Sequence, residues 1–413
     1  MKQSLHQDGS IIIHQAIQEV LPDEAVRRAL QDFRSSGRLT VISVGKAAWQ
    51  MAKAAYDCLR DRIGQGIVIT KYGHAMGPIP GFDCYEAGHP VPDENSFRAT
   101  AKALAMTEHL TEADTVLFLL SGGGSALFEQ PLVSGEELQS ITSQLLASGA
   151  DIVEMNGIRK RLSAVKGGRF AQWCAPARVF SIILSDILGD PLDMIASGPT
   201  VPDKSTCAQA VQTAEKYHLC LSEKARQLLS QETPKELEGT EQKIMGSVRQ
   251  LCQAAAEACR SLGYQPIVLT DRLCCQAREA GSFLGSIARS HADTQIPMAF
   301  LAGGETVVKL TGTGRGGRNQ ELALAAAEGI QGLENVLIFS FGSDGTDGPT
   351  DAAGGMVDGN TQKRLCDKGI SIHAVLANND AYSALEKVDG LIVTGPTGTN
   401  VNDVAVVLIR PKT

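Results

Sequence analysis

A chain of 413 residues, 43% apolar and 20% charged, is long for one hydrophobic core; at about 150 residues per domain it predicts two domains of an ordinary globular protein. Its formal charge of −8 excludes a protein built to hold nucleic-acid backbones through clustered Lys and Arg, and no run approaches the roughly 18 apolar residues that would span a bilayer. The polar start MKQSLHQDGS lacks the apolar stretch of a signal peptide, so a cytoplasmic protein is expected, and ten cysteines without a C-x-x-C spacing read as reduced, passive thiols.

In chain order, Ile12, Ile13, Ala16, Ile17 and Val20 have helical spacing. Then LTVISVG, KAAWQMAKAAYDCLRDR and GIVITKYG read as strand, helix, strand. The strands are continuous apolar runs, as in a parallel sheet covered on both faces. DTVLFLLS and RVFSIILSD continue the series, with SFRATAKALAMTEHL and EELQSITSQLLASGA as helices, so the first half is a doubly wound, Rossmann-like α/β domain. The apolar content drops over residues 221–241, and the boundary is placed at 238: an N-terminal domain over 1–238 and a C-terminal one over 239–413. The second domain opens on the helix VRQLCQAAAEACRSLG and the strand QPIVLT. MAFLAGGETVVKLTGTG then reads as an antiparallel hairpin around Gly303, Gly304 and Glu305, and GLIVTG and VAVVLIR around PTGTNVND repeat that style. The second domain is therefore mixed α/β.

Several stretches have the chemistry to hold an anion. LFLLSGGGSALF puts Gly122, Gly123 and Gly124 between Ser121 and Ser125 at the end of a buried strand. Successive glycine N–H groups can form a concave nest there, and the serines add hydroxyls; the alternative is a tight strand-to-helix bend. VISVGKAAW places Gly45 at a turn and Lys46 in the first helical turn, where a cation is unfavourable unless an anion binds beside it. MNGIRKRLSAVKGGRF concentrates Arg159, Lys160, Arg161, Lys166 and Arg169. Lys166, followed by Gly167 and Gly168, is the member expected to reach the ligand.

SDILGDPLD ends a strand with Asp186 and follows it with Asp190 and Asp193. One or two carboxylates at such a sheet edge, with waters and phosphate oxygens, suit Mg²⁺; Asp186 is preferred for the metal or a substrate hydroxyl. In the second half TGTGRGGRNQELALAAA contains a literal G-x-G-x-x-G at Gly312, Gly314 and Gly317, but the stretch before it does not read as the buried parallel strand a dinucleotide fold needs. Arg318 at the helix start is a forked donor for a carboxylate or phosphoryl group, and Asn319 beside it is counted among the ligand-binding positions. GSDGTDGPTDAAGG carries Asp344, Asp347 and Asp351, with Asp344 as the candidate metal or nucleotide contact. His89 in GHPVPDENS reads as a loop packing residue.

As an ordered set, VGKAAWQMA, GHPVPDENS, LLSGGGSALF, RKRLSAVKGGRFA, SDILGDPLDMIASGPTVPD, GGETVVKLTGTGRGGRNQELALAAA, GSDGTDGPTDAAGG and TGPTGTNVND resemble the class II glycerate 2-kinases, whose C-terminal part is called the MOFRL domain. The resemblance covers residues 44 to 403. It implies two α/β domains with the active site in the cleft between them, and transfer of the ATP γ-phosphoryl group to the 2-hydroxyl of D-glycerate with Mg²⁺. It also implies a catalytic lysine and arginine at Lys46 and Arg318. The expected partners are ATP and D-glycerate, with a homodimer as the candidate assembly, and neither nucleic acid nor membrane. An NAD(P)H-dependent hydroxypyruvate reductase, favoured by the literal glycine motif, is the alternative.

Overall fold

The computed structural model describes residues 4–412, which divide into two compact units. The first, Pro22–Met245, is built on a six-stranded sheet: β1 (Leu39–Val44), β2 (Ile63–Lys71), β3 (Phe82–Ala87), β4 (Thr115–Leu120), β5 (Arg178–Leu184) and β6 (Thr240–Gly246). Their order across the sheet is β3-β2-β1-β4-β5-β6, that of a doubly wound nucleotide-binding fold, and the pairs from β3 to β5 are parallel. Alternate residues serve opposite faces. Val41, Leu117 and Leu119 pack with the helices Pro22–Leu30 and Ala48–Leu59, while Ile42, Phe118 and Leu120 pack with Glu94–Met106 and Arg169–Cys174. Both faces are dry, which explains why these strands lack polar alternation.

The second unit joins the described residues through Leu21 to those from Gly246 onward. Its strands are β7 (Gln265–Leu273), β8 (Met298–Gly304), β9 (Val336–Gly342), β10 (Gly354–Asp358), β11 (Leu391–Ile392) and β12 (Asp403–Ile409), in the order β11-β10-β9-β12-β8-β7. β7 and β8 are parallel, whereas β12 runs antiparallel to both β8 and β9. The fold class is thus α/β with two units, the second of them mixed.

Three expectations change here. The chain crosses after Met245 rather than at 238, because the half-polar TEQKIMG forms the edge strand β6. The described residues through Leu21 belong to the second unit: Asp8 of the helix Leu5–Glu19 is held by Tyr264 and Arg410, and a Cβ on Gly9 would meet Leu337, Phe339 and Met356. Neither expected hairpin forms. β8 takes β12 as its antiparallel neighbour, the stretch after Gly304 makes only an isolated bridge at Val307, and β11 and β12 lie apart in the sheet. All ten cysteines are free, and among the described residues no helix is long and apolar enough to cross a membrane.

Candidate active site

In the first unit, the ends of β1 and β4 are joined through the loops that follow them. Lys46 N–H donates to Gly122 O at 2.9 Å and Ser121 N–H to Val44 O at 2.9 Å, while the Ser121 hydroxyl accepts from Ala47 N–H at 3.1 Å. A Cβ on Gly45, whose φ is +122°, would lie 2.2 Å from Ser121 Oγ. Gly45 is therefore glycine so that the two loops can touch. Ser121 is buried and committed to this junction, so it is not the anion donor expected.

Beyond it lies a row of main-chain donors. Gly123 takes the left-handed conformation, φ +90°, at the start of the short helix Gly124–Leu127. The N–H groups of Gly122, Gly123, Gly124 and Ser125 find no acceptor among the described residues, and unpaired main-chain donors at a helix start are a ready seat for an anion. Each glycine also makes room: a Cβ on Gly122 would lie 2.3 Å from Asp186 Oδ2, and one on Gly123 would lie 3.0 Å from the His89 ring and 3.4 Å from Lys46 Cγ. Lys46 and His89 thus flank Gly123, and Asp186 abuts Gly122. Burial, with the charges of Lys46, Lys71 and His74, pushes the His89 pKa down, so its imidazole is neutral at pH 7. Sequence reading passed over this residue as loop packing, although it stands in one of the segments carrying the family resemblance.

Asp190 Oδ1 is buried without a hydrogen-bond partner, and its backbone holds φ at +53°. A carboxylate oxygen left unsatisfied away from water is costly and suits a cation. Among the described residues no three His, Cys, Asp or Glu side chains converge as a self-sufficient metal site. Asp186 and Asp190 therefore fit Mg²⁺ only as the one or two carboxylates of a site completed by phosphate oxygens and water.

Lys166 does not meet its expectation. It is fully buried, donating to Glu129 Oε2 at 2.6 Å and Phe128 O at 2.9 Å, and burial presses its pKa down against the pull of Glu129. Gly167 likewise serves packing, not a ligand: its N–H donates to Ser197 O at 2.9 Å, and a Cβ there would be 3.1 Å from Lys160 Cβ.

In the second unit, Asp403 pairs in register with Gly304 on one side and Gly342 on the other, which puts its carboxylate beside the start of the helix Arg318–Gly329. Arg318 grips it through Nε at 2.6 Å and Nη2 at 3.1 Å and gives Nη1 to Glu305 at 2.6 Å. Three of the five guanidinium N–H groups are thereby used. The side chain is 31% exposed, which leaves the other two within reach of solvent. Asp344 lies close by, since a Cβ on Gly342 would be 3.3 Å from both Asp344 Oδ1 and Asp403 Oδ1.

Asn319 is buried and spent on Asp347 and Ser340, so it too leaves the expected ligand set. Asp347 occupies the helix N-terminus itself, accepting from Asn319 N–H at 3.1 Å and Gln320 N–H at 2.8 Å. A Cβ on Gly317 would strike that carboxylate, while Gly312 and Gly314 press against the backbone of Asn378 and the Asp380 side chain. The literal G-x-G-x-x-G is therefore a packing device, and the seat a pyrophosphate would need is filled by the protein's own carboxylate.

Burial raises the Asp347 carboxyl from 3.8 to about 7. A folded-state pKa above the unfolded one means that the folded protein binds the proton more tightly, so this contribution to stability is complete near pH 4 and is lost as pH rises through 7. Asp403, lifted by burial to about 6, acts in the same direction over a lower window. Asp347→Asn is expected to be less stable at every pH, having lost an acceptor, but to lack the decline of the wild type between about pH 4 and 7. Urea midpoints across that range check it; parallel slopes would refute it.

Residues 9–230 match the family model described as Domain of unknown function (DUF4147), and residues 298–403 match that of the MOFRL family. The chain is 51% identical to the D-glycerate 2-kinase of Thermotoga maritima, across 96% of this chain and 97% of that one. It is 40% identical to a putative hydroxypyruvate reductase of Agrobacterium vitis, across 96% and 93%. The crystal structure of a Thermotoga maritima glycerate kinase superposes with a TM-score of 0.94, covering 97% of this chain and 98% of that one at 51% identity. With two family models in succession and full-length relatives at this identity, the chain belongs to the MOFRL family of glycerate 2-kinases.

Proposed function

We propose that the protein transfers the γ-phosphoryl group of ATP to the 2-hydroxyl of D-glycerate, giving 2-phosphoglycerate and ADP. The observation that carries this reading is the row of four uncommitted N–H groups from Gly122 to Ser125 beside Lys46, in a chain whose 51% identical relative bears the name of that kinase. Phosphoryl transfer proceeds through a loose transition state with negative charge spread over the moving group, so the protein's task is positioning and electrostatic stabilisation. In this reading the nest binds substrate phosphate or carboxylate oxygens, and Lys46 stabilises the charge beside Gly123. Arg318, oriented by Asp403 and Glu305, keeps two N–H groups free to hold an anionic group. Asp186 and Asp190 are the residues that would hold Mg²⁺, which would supply charge neutralisation on the phosphates.

The reductase reading loses its seat, because Asp347 fills the helix N-terminus at the glycine motif. Purified protein should consume D-glycerate only with ATP and Mg²⁺, and added enolase should convert the product directly to phosphoenolpyruvate, which 3-phosphoglycerate does not undergo. NADH oxidation with hydroxypyruvate in the absence of ATP would overturn the proposal.

A further inference from the structure

The basic segment Arg159–Arg169 contains two cations, Arg159 and Arg169, that make no hydrogen bond or ion pair among the described residues, and only Arg159 lies on a face that leads to the glycine nest. Lys160 is neutralised by Asp203 at 2.9 Å and Asp193 at 3.3 Å. Arg161 is fully buried against Asp203, Glu232 and Ser205, and Lys166 is matched by Glu129. Arg169 lies within electrostatic reach of Arg161 and Asp203, with its Nε and Nη2 buried and making no hydrogen bond. Arg159 alone of the five feels Glu129 without bonding to it. No hydrogen bond or ion pair ties its guanidinium to any described residue, and burial pushes its pKa down. Glu129 pairs with Lys166 through Oε2 and leaves Oε1 without a hydrogen bond, so Arg159 is a half-buried cation that shares its nearest carboxylate with Lys166 and bonds to none. Desolvating such a group without a partner costs free energy, which an anionic ligand would return.

Its position names the ligand's neighbourhood. Arg159 lies three residues beyond Asn156 on the helix Ile152–Arg161, and residues at that spacing share a face. Asn156 Oδ1 accepts from Ser197 Oγ at 2.9 Å, and Ser197 Oγ lies 3.4 Å from Ser125 Oγ. The face therefore looks toward the last residue of the glycine nest, and Glu129, the carboxylate nearest in effect to Arg159, follows that nest by four residues. We infer that Arg159 is a substrate-binding residue that clamps an oxyanion held on the Gly122–Ser125 nest, opposite in role to Lys46: it fixes the ligand's charged end, and Lys46 acts on the group that moves. The oxyanion is the carboxylate of glycerate or a phosphate of the nucleotide, both of which match the planar fork of a guanidinium.

This inference rests on the kinase reading, and its test separates the two. In Arg159→Ala, KM for one substrate should rise about tenfold or more, with the other KM within about twofold and the thermal midpoint retained; Arg159→Lys should recover part of the loss. A rise for glycerate assigns the carboxylate, and a rise for ATP assigns the phosphate. If both KM values stay at the wild-type level, or a lowered thermal midpoint accompanies every kinetic change, the inference is overturned. Should the wild type show no ATP-dependent turnover, the kinase reading falls by itself. Calorimetric titration of wild type and Arg159→Ala with inorganic phosphate and with D-glycerate then decides the anion clamp: weaker binding of either in the variant supports it, and equal binding of both sinks it.

Discussion

Lys46→Ala should lower kcat by a factor on the order of 10² or more, the scale of removing one donor aimed at transition-state charge, while the thermal midpoint stays in place. The two halves of that expectation come from different atoms. What sews the loop after β1 to the loop after β4 is main chain: Lys46 N–H to Gly122 O, Ser121 N–H to Val44 O, and Ala47 N–H to the Ser121 hydroxyl. An alanine keeps all of it. The ammonium, by contrast, has no carboxylate partner among the described residues, and its stem passes along Gly123, whose missing Cβ keeps the nest open on that side. A cation kept at the positive end of a helix opposes the local dipole, so its removal should not cost stability. Lys46→Met, which preserves the stem and its contact with Gly123, should be as inactive as the alanine variant; turnover retained in either would remove Lys46 from the chemistry.

What sequence could and could not foresee follows from the range of the interactions. Runs such as Val116–Leu120, apolar at every position, are buried on both faces, and that alone identified a parallel sheet with helices on each side. The conformation of the glycine row was legible because its physics is local: Gly123 adopts positive φ, and the N–H groups beside it have no acceptor among the described residues. The partner of β8 was not legible. Glycines and a half-polar stretch after Gly304 mimic a turn and a return strand, yet the strand that pairs with Met298–Gly304 begins at Asp403, and no pattern in residues 298–317 encodes a neighbour so far along the chain. The same limit applies to two cations. Lys166 looked exposed to a ligand because Gly167 follows it, but Glu129 lies opposite; nothing in the spacing of Arg159 distinguishes it from its basic neighbours, which do find carboxylates at Lys160, Arg161 and Lys166. Asp347 was one of three aspartates in a turn-rich loop until the fold placed it against Gly317.

Arg318→Ala should show two separable losses. Turnover should drop by about 10³, the lower range for a guanidinium that stabilises a transferring phosphoryl group. Stability should drop by about 3–5 kcal/mol, because truncating one member of a buried pair strands the other. The stranded group is Asp403, almost fully buried between Gly304 and Gly342 and within electrostatic reach of Asp347, so two carboxylates would be left with no cation between them. Adding Asp403→Asn removes the stranded charge and should return most of the urea midpoint while turnover stays low. Arg318→Lys should fall between, since an ammonium keeps the charge but cannot span both oxygens of Asp403 and still reach Glu305. If the double variant recovered turnover together with stability, Arg318 would be a counter-ion for Asp403 and no more. If turnover stays down in a protein whose stability has returned, the two N–H groups that Asp403 and Glu305 leave free are the ones the reaction uses.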